Sequence, residues 1–135
     1  MSILLAILAA TVAWFVVAAV LFFNPIVDPI YRSQESMPAV RALPQGPTTI
    51  VRILTAVLVQ CVLWAVVYVG VAPALPQPTW LKGLAFGGII AVVKVIPRDI
   101  DRVLLTTYPG RRMTIELVNG VVCAAVVGWT FAWLL

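Results

Sequence analysis

The chain contains no histidine and only two cysteines, Cys61 and Cys123. Without imidazole the usual haem, zinc and copper sites have no ligands, and the two thiols form no Cys-x-x-Cys motif. Each cysteine falls near the middle of an apolar segment, where a thiol acts as a small buried hydrophobe. No cofactor or metal is expected. Charge is scarce too: 10% of the 135 residues are charged, against roughly 25% in soluble domains. With 63% hydrophobic residues and a mean hydropathy of +1.10, the chain carries more apolar surface than a water-soluble core of this size can hide. Part of its solvent must be lipid.

Proline is missing from four stretches. All ten prolines lie outside residues 2–23, 49–72, 80–96 and 113–135. Each stretch is close to the ~17–25 residues a helix needs to cross a bilayer core, and proline breaks the helical ladder. The pattern predicts an all-α membrane protein, a single integral domain over 1–135, built as an antiparallel bundle of four transmembrane helices. The first stretch lacks a basic leader and a cleavage pattern, so it reads as a retained span and not a signal peptide. It closes at "FFNPIVDPIY", where Asn24-Pro25 and Asp28-Pro29 follow in quick succession. Residues before proline avoid the α region, so an extended run along the interface is expected there. "MPAVRALPQGPTT" then leads to the second helix, with Thr48 or Thr49 as N-cap.

The charges that exist are one-sided. Arg32, Arg41, Arg52, Lys94, Arg98, Arg102, Arg111 and Arg112 flank the first and third connections, and only Lys82 lies on the other side. The positive-inside rule places those connections in the cytoplasm and both termini outside, in a plasma (inner) membrane. Tyr68, Trp80, Trp129 and Trp133 then form an outer aromatic belt, and Phe22, Phe23, Tyr31 and Tyr108 an inner one. The net charge of +4 is spread around apolar segments and forms no stripe, so the expected partner is an anionic membrane lipid surface and not nucleic acid. Between the third and fourth helices, "RDIDRVLLTTY" places Ile100, Val103, Leu104 and Thr107 on one face. This predicts a short interfacial amphipathic helix over 98–108, broken by Pro109-Gly110.

Small residues mark the packing faces. Gly83, Gly87 and Ala91 on the third helix, and Gly120, Ala124 and Gly128 on the fourth, recur every four residues. In lipid such ridges allow close approach, either between these two helices or with a second copy. Projection at about 100° per residue puts Lys94 on the ridge face of the third helix, and Glu116 beside Asn119 on that of the fourth. Arg52 enters the second helix at similar depth. Glu116, Lys94, Arg52 and Asn119 thus form a candidate polar or ligand cluster, since ionisable groups within spans cost free energy and tend to pair. The plainer reading is that Lys94 and Arg52 snorkel to headgroups while Glu116 pairs with Arg112 one turn away. No second carboxylate lies within a span to continue a proton relay, and no row of polar side chains suits a pore within one chain. Gln60 is the strongly polar residue near the middle of the second helix, placed to hydrogen-bond across the bundle.

The first helix closes with an aromatic-x-Pro turn, the third reads "LKGLAFGGIIAVV", and the last reads "ELVNGVVCAAVVGWTFAWLL". In these features the chain resembles a small family of bacterial four-helix membrane proteins, the domain-of-unknown-function 1761 type. The resemblance implies the four-helix fold and no particular activity. The four-helix enzymes of eicosanoid and glutathione metabolism would need an Arg-Asn-Glu set around the second helix. "RALPQGPTTIVRILTAVLVQ" has neither asparagine nor glutamate. The function expected is therefore non-enzymatic: an accessory, scaffold or assembly component that self-associates or packs in a larger membrane complex. The alternative is binding or transport of a lipid or small hydrophobic molecule in the cytoplasmic half of the bundle.

Overall fold

The computed structural model describes residues 2–135, and among these the regular structure is entirely helical. Helix α1 (Ile3–Phe22) carries no charged residue and is capped by Ser2, whose Oγ accepts the Leu5 N–H at 3.4 Å. Asn24 then ties its end to the next element. Its Nδ2 donates to the Leu21 carbonyl at 2.6 Å, and its Oδ1 accepts from the N–H groups of Ile26 and Val27 at 3.0 and 2.9 Å. With those donors satisfied the chain turns into a short helix, α2 (Val27–Ser33), instead of running extended as the proline pairs suggested. Pro29 is tolerated because the first-turn amides of a helix have no internal partner to lose. The Asp28–Arg32 pair at 2.7 Å spans the single turn.

Helix α3 (Pro47–Val71) begins with Pro47 in its first turn, where a missing N–H costs nothing. Gly46 precedes it at φ 146°, a backbone setting that suits only glycine. Neither Thr48 nor Thr49 is the N-cap: both lie inside the helix, and Thr49 Oγ1 donates back to the Pro44 carbonyl at 2.5 Å. A 3₁₀ turn (Ala72–Ala74) carrying Pro73 closes α3.

The third span departs most from expectation. Helix α4 (Thr79–Ile90) passes through a π-helical stretch (Ala91–Val95) directly into α5 (Ile96–Leu105). Together they make one 27-residue rod, Thr79–Leu105. The expected break between 96 and a separate interfacial segment at 98–108 is absent. A proline ring inside a helix collides with the carbonyl four residues back, and the wider π turn just before Pro97 relieves that collision. Thr107 lies beyond the end of α5, so it does not join Ile100, Val103 and Leu104, whose side chains are exposed. After Thr106–Pro109, α6 (Gly110–Leu134) completes the chain. The stretches Ile3–Phe22, Pro47–Ala74, Thr79–Leu105 and Gly110–Leu134 are each long and apolar enough to cross a membrane.

Helices α4 and α6 share the broadest contact, and α6 also packs on α1, which in turn packs on α3. Glycine makes the α4–α6 contact possible. A Cβ on Gly87 would lie 2.8 Å from the Ala125 Cα, and one on Gly128 would lie 2.3 Å from the Gly83 carbonyl oxygen. Here backbone meets backbone. Ala124 belongs to the same seam and Gly120 faces the Val95 side chain, while Ala91 begins the π stretch. The core continues through Ala6 and Ala10 of α1 and Val57, Cys61 and Ala65 of α3. Near the far ends of α3 and α6 an aromatic group closes the interior: Phe86 stands edge-on to Tyr68 at 4.9 Å and 6.2 Å from Phe131. No comparably broad face joins α3 to α4.

A polar cleft between the thinly joined helices

At the charged end of the molecule a cleft of about 500 Å³ remains, walled mainly by α6, α1 and the π stretch with its flanking helices, and by one residue of α3. Trp14 and Phe22 of α1, Ile53 of α3, Ile90 of α4 and Val127 of α6 supply its apolar walls. Lys94, Arg98, Glu116 and Asn119 supply its polar ones.

The π stretch positions Lys94. Its Nζ stands 4.1 Å from the centre of the Trp14 ring, in a cation–π contact, and donates to Gln60 Oε1 across the α3–α4 gap. Gln60 keeps its own amide busy with the Ala56 carbonyl at 3.2 Å. Among the described residues Lys94 therefore has a π face and a neutral amide as partners but no carboxylate.

Glu116 is served by other groups. Its carboxylate accepts from Arg102 and Tyr108, and from the Tyr31 hydroxyl at 3.2 Å. Three separate elements, α2, α5 and the turn before α6, thus converge on one side chain of α6. Arg102 also lies over the Tyr108 ring at 4.6 Å. Arg112 is buried, stacks 4.2 Å from the centre of the Tyr31 ring and donates to the Tyr31 carbonyl at 2.6 Å. Burial first, and then the neighbouring Glu116 carboxylate, push both the Tyr31 and Tyr108 phenols above their ordinary value.

Of the residues singled out from the sequence, Lys94, Glu116 and Asn119 do face one space. Lys94 and Glu116 share its wall without forming an ion pair among the described residues. Glu116 pairs with Arg102, not with Arg112. Asn119 Oδ1 accepts from the Cys123 thiol at 3.5 Å. Arg52 is exposed and does not line the cleft. The buried face of α3 runs through Val57, Cys61 and Ala65, and five residues back from Val57 turns the helix by about 140°. Four residues back brings it nearly round again, which is why Ile53 lines the cleft and Arg52 does not. Trp14, Tyr31, Arg98, Arg102 and Tyr108 were not singled out for this site. The two tyrosines read as membrane-belt residues, and the paired role of each follows only from how α2 and the 106–109 turn fold back onto α6.

Asp99 is buried beside these groups, with Arg98 Nε at 3.1 Å and Arg102 Nη1 at 3.9 Å from its Oδ1. Among the described residues Arg98 Nη2, Arg112 Nε and Asp99 Oδ2 are buried without a hydrogen-bond partner. Chemically the arrangement can hold a polar head among cations while apolar walls receive a hydrophobic body. No family model, curated protein or solved structure matches the chain.

Proposed function

We propose that this is a multi-pass protein of the plasma membrane that binds an amphiphilic molecule in the cleft at the charged end of its helices. The four spans form an antiparallel bundle, with the termini outside and the charged end in the cytoplasm. Support for the antiparallel course comes from the order of contacts, in which Gly83 meets Trp129, Gly87 meets Ala124 and Val95 meets Gly120. The basic residues of the first and third connections support the orientation.

The observation that carries the binding reading is the cleft itself. Its volume of about 500 Å³ lies within the roughly 300–1,000 Å³ of ordinary ligand sites. It also has their composition: apolar walls with a few convergent polar groups. Binding and not catalysis is the role proposed, because Glu116 is committed to three donors and Lys94 to Gln60. Native mass spectrometry of the protein released from mild detergent tests this. The wild type should retain an added mass in the lipid range, and Ile53→Trp, which puts bulk at the cleft wall on a side chain already 43% exposed, should reduce it. A wild-type spectrum with detergent alone, unchanged after incubation with a membrane lipid extract, would overturn the reading.

A role in assembly with a larger membrane complex is the second reading. Its support is the outward apolar side of α5, where Ile100, Val103 and Leu104 border a shallow groove completed by Met113 and Leu117 of α6. Self-association through the glycine ridges is not part of it, since Gly83, Gly87 and Gly128 are occupied within the chain.

A further inference from the structure

The charge around the cleft does not balance. Four cations are gathered at its charged end: Lys94 and Arg98 on the wall, Arg102 on Glu116, and Arg112 on Tyr31. Two carboxylates, Glu116 and Asp99, are set among them. Glu116 is 16% exposed and Asp99 10% by side chain, so neither is a freely solvated counter-ion. Arg102 satisfies Glu116 and reaches Asp99, and Arg98 reaches Asp99 with one nitrogen only. What remains among the described residues is Lys94, held by a neutral amide and an indole face, with the Nη2 of Arg98 and the Nε of Arg112 buried without an acceptor and the Oδ2 of Asp99 buried without a donor.

Uncompensated cations in a low-dielectric setting are costly, and such groups mark places where an opposite charge arrives. Of these incompletely paired cations Lys94 and Arg98 line the cleft, while Arg112 lies outside it and donates to the Tyr31 carbonyl. Glu116, the only carboxylate on its wall, already accepts three hydrogen bonds, so a cationic head would have to displace them. The polar end of the cleft is built for an anion.

Resting on the binding role proposed above, we infer that the cleft takes an anionic amphiphile, a phosphate or carboxylate head attached to an acyl chain. Lys94 Nζ and the Arg98 guanidinium would hold the head through charge-assisted hydrogen bonds. Trp14, Phe22, Ile53 and Val127 would line the chain. Asn119, the remaining polar wall residue, supplies a neutral amide for an ester or hydroxyl next to the head.

The test uses the full chain in mild detergent with four probes: dioleoyl phosphatidic acid, oleate, dioleoyl phosphatidylcholine and inorganic phosphate. The phosphatidic acid and oleate should bind at least about tenfold more tightly than the zwitterionic lipid, the effect of one charge-assisted contact. Lys94→Gln and Arg98→Gln should each cost about tenfold, Lys94→Arg should restore binding, and Arg111→Gln should leave it unchanged. Arg111 is an exposed charge on the same end of the molecule, so it controls for general attraction of anions. A thermal melt on each variant separates lost binding from lost folding, and Arg98→Gln carries the test if Lys94→Gln does not fold. Equal affinity for the zwitterionic and anionic lipids would overturn the anionic head while leaving an amphiphile site. Inorganic phosphate binding as tightly as phosphatidic acid would overturn the amphiphile in favour of a bare ion site. No binding of any lipid would defeat this inference and the binding role together.

Discussion

Helix α4 has two unlike neighbours. Toward α6 it presents Gly83, against which the Trp129 side chain and backbone lie, and Gly87, where the two backbones touch directly. Toward α3 it presents the π stretch and Lys94, and the contact thins to one cross-gap hydrogen bond and, at the far end, the aromatic group around Phe86. At Gly87 and Gly128 the first contact admits almost no change. The second is open, and the cleft lies beside it, between α6, α1, Ile53 of α3 and the π stretch. A bilayer supplies no hydrophobic force to press helices together, so close packing must come from small residues. Toward the charged end the ridge of α6 also lines the cleft, through Gly120 and Ala124. In this chain one helix carries both behaviours on different faces, and the wide π turn before Pro97 marks the change from one to the other.

The seam should be the least forgiving place in the molecule. Gly128→Leu would push a side chain against the Gly83 carbonyl and the Gly87 amide, atoms that a Cβ alone would approach to 2.3 and 2.6 Å. Backbone cannot move aside as a flexible side chain can, so we expect a loss of more than about 3 kcal/mol, enough to abolish folded protein in detergent. Gly88 of α4 faces open space, and Gly88→Ala should leave the melting temperature unchanged or slightly raised, since alanine is the better helix former. Thermal unfolding of the pair reads this directly. Similar melting temperatures for the two variants would mean that α4 and α6 do not touch backbone to backbone.

An intermediate effect is expected at Glu116, where polar contacts replace the missing packing. Glu116→Gln leaves Arg102 short of its main anion and weakens the acceptor for two phenols, at a cost of about 2 kcal/mol. Replacing Tyr31 and Tyr108 by Phe should cost about 1 kcal/mol each near neutral pH. The two phenols also fix the sign of a pH effect. Both have folded values raised above the ordinary 10.0, so the stability they add is complete below that value. It is lost as the pH climbs through their higher folded values. Melting temperatures taken near neutrality and again above the ordinary phenol value should therefore fall further for the wild type than for Tyr31→Phe/Tyr108→Phe. A double variant as alkali-sensitive as the wild type would show that the phenols are not the groups involved.

The glycine contact was legible in the sequence and much of the cleft was not. Four-residue spacing of Gly83, Gly87, Gly120, Ala124 and Gly128 is a local signal, and it pointed to the seam because a small-residue ridge has few uses in lipid besides close approach. The placement of Lys94, Asn119 and Glu116 about one space also followed from helical projection, since each lies on a continuous helix. Their partners did not follow. Tyr31 reaches Glu116 only because Asn24 folds the proline-rich turn back into α2. Arg102 reaches it only because the rod continues past Pro97 as α5. Both outcomes depend on how a backbone accommodates proline, and a rule that reads proline as a stop misses them.

The smallest expected effect separates a charge that merely lies in a span from one that serves the cleft. Arg52 and Lys94 are both cations within spans, and insertion cost alone gives no reason to rank them. Their faces do. Lys94 is half-buried against Trp14 and Gln60, whereas Arg52 points about 140° away from the buried face of α3 and is exposed. Its long side chain can lie along the helix with the guanidinium in the headgroup layer. Arg52→Gln should therefore change stability by no more than about 0.5 kcal/mol and leave lipid retention intact. Lys94→Gln should weaken retention of an anionic lipid while the protein still melts cooperatively. If the ranking is reversed, so that Arg52→Gln strips the lipid and Lys94→Gln does not, the ligand sits on the outer surface of α3 and the cleft is not its site.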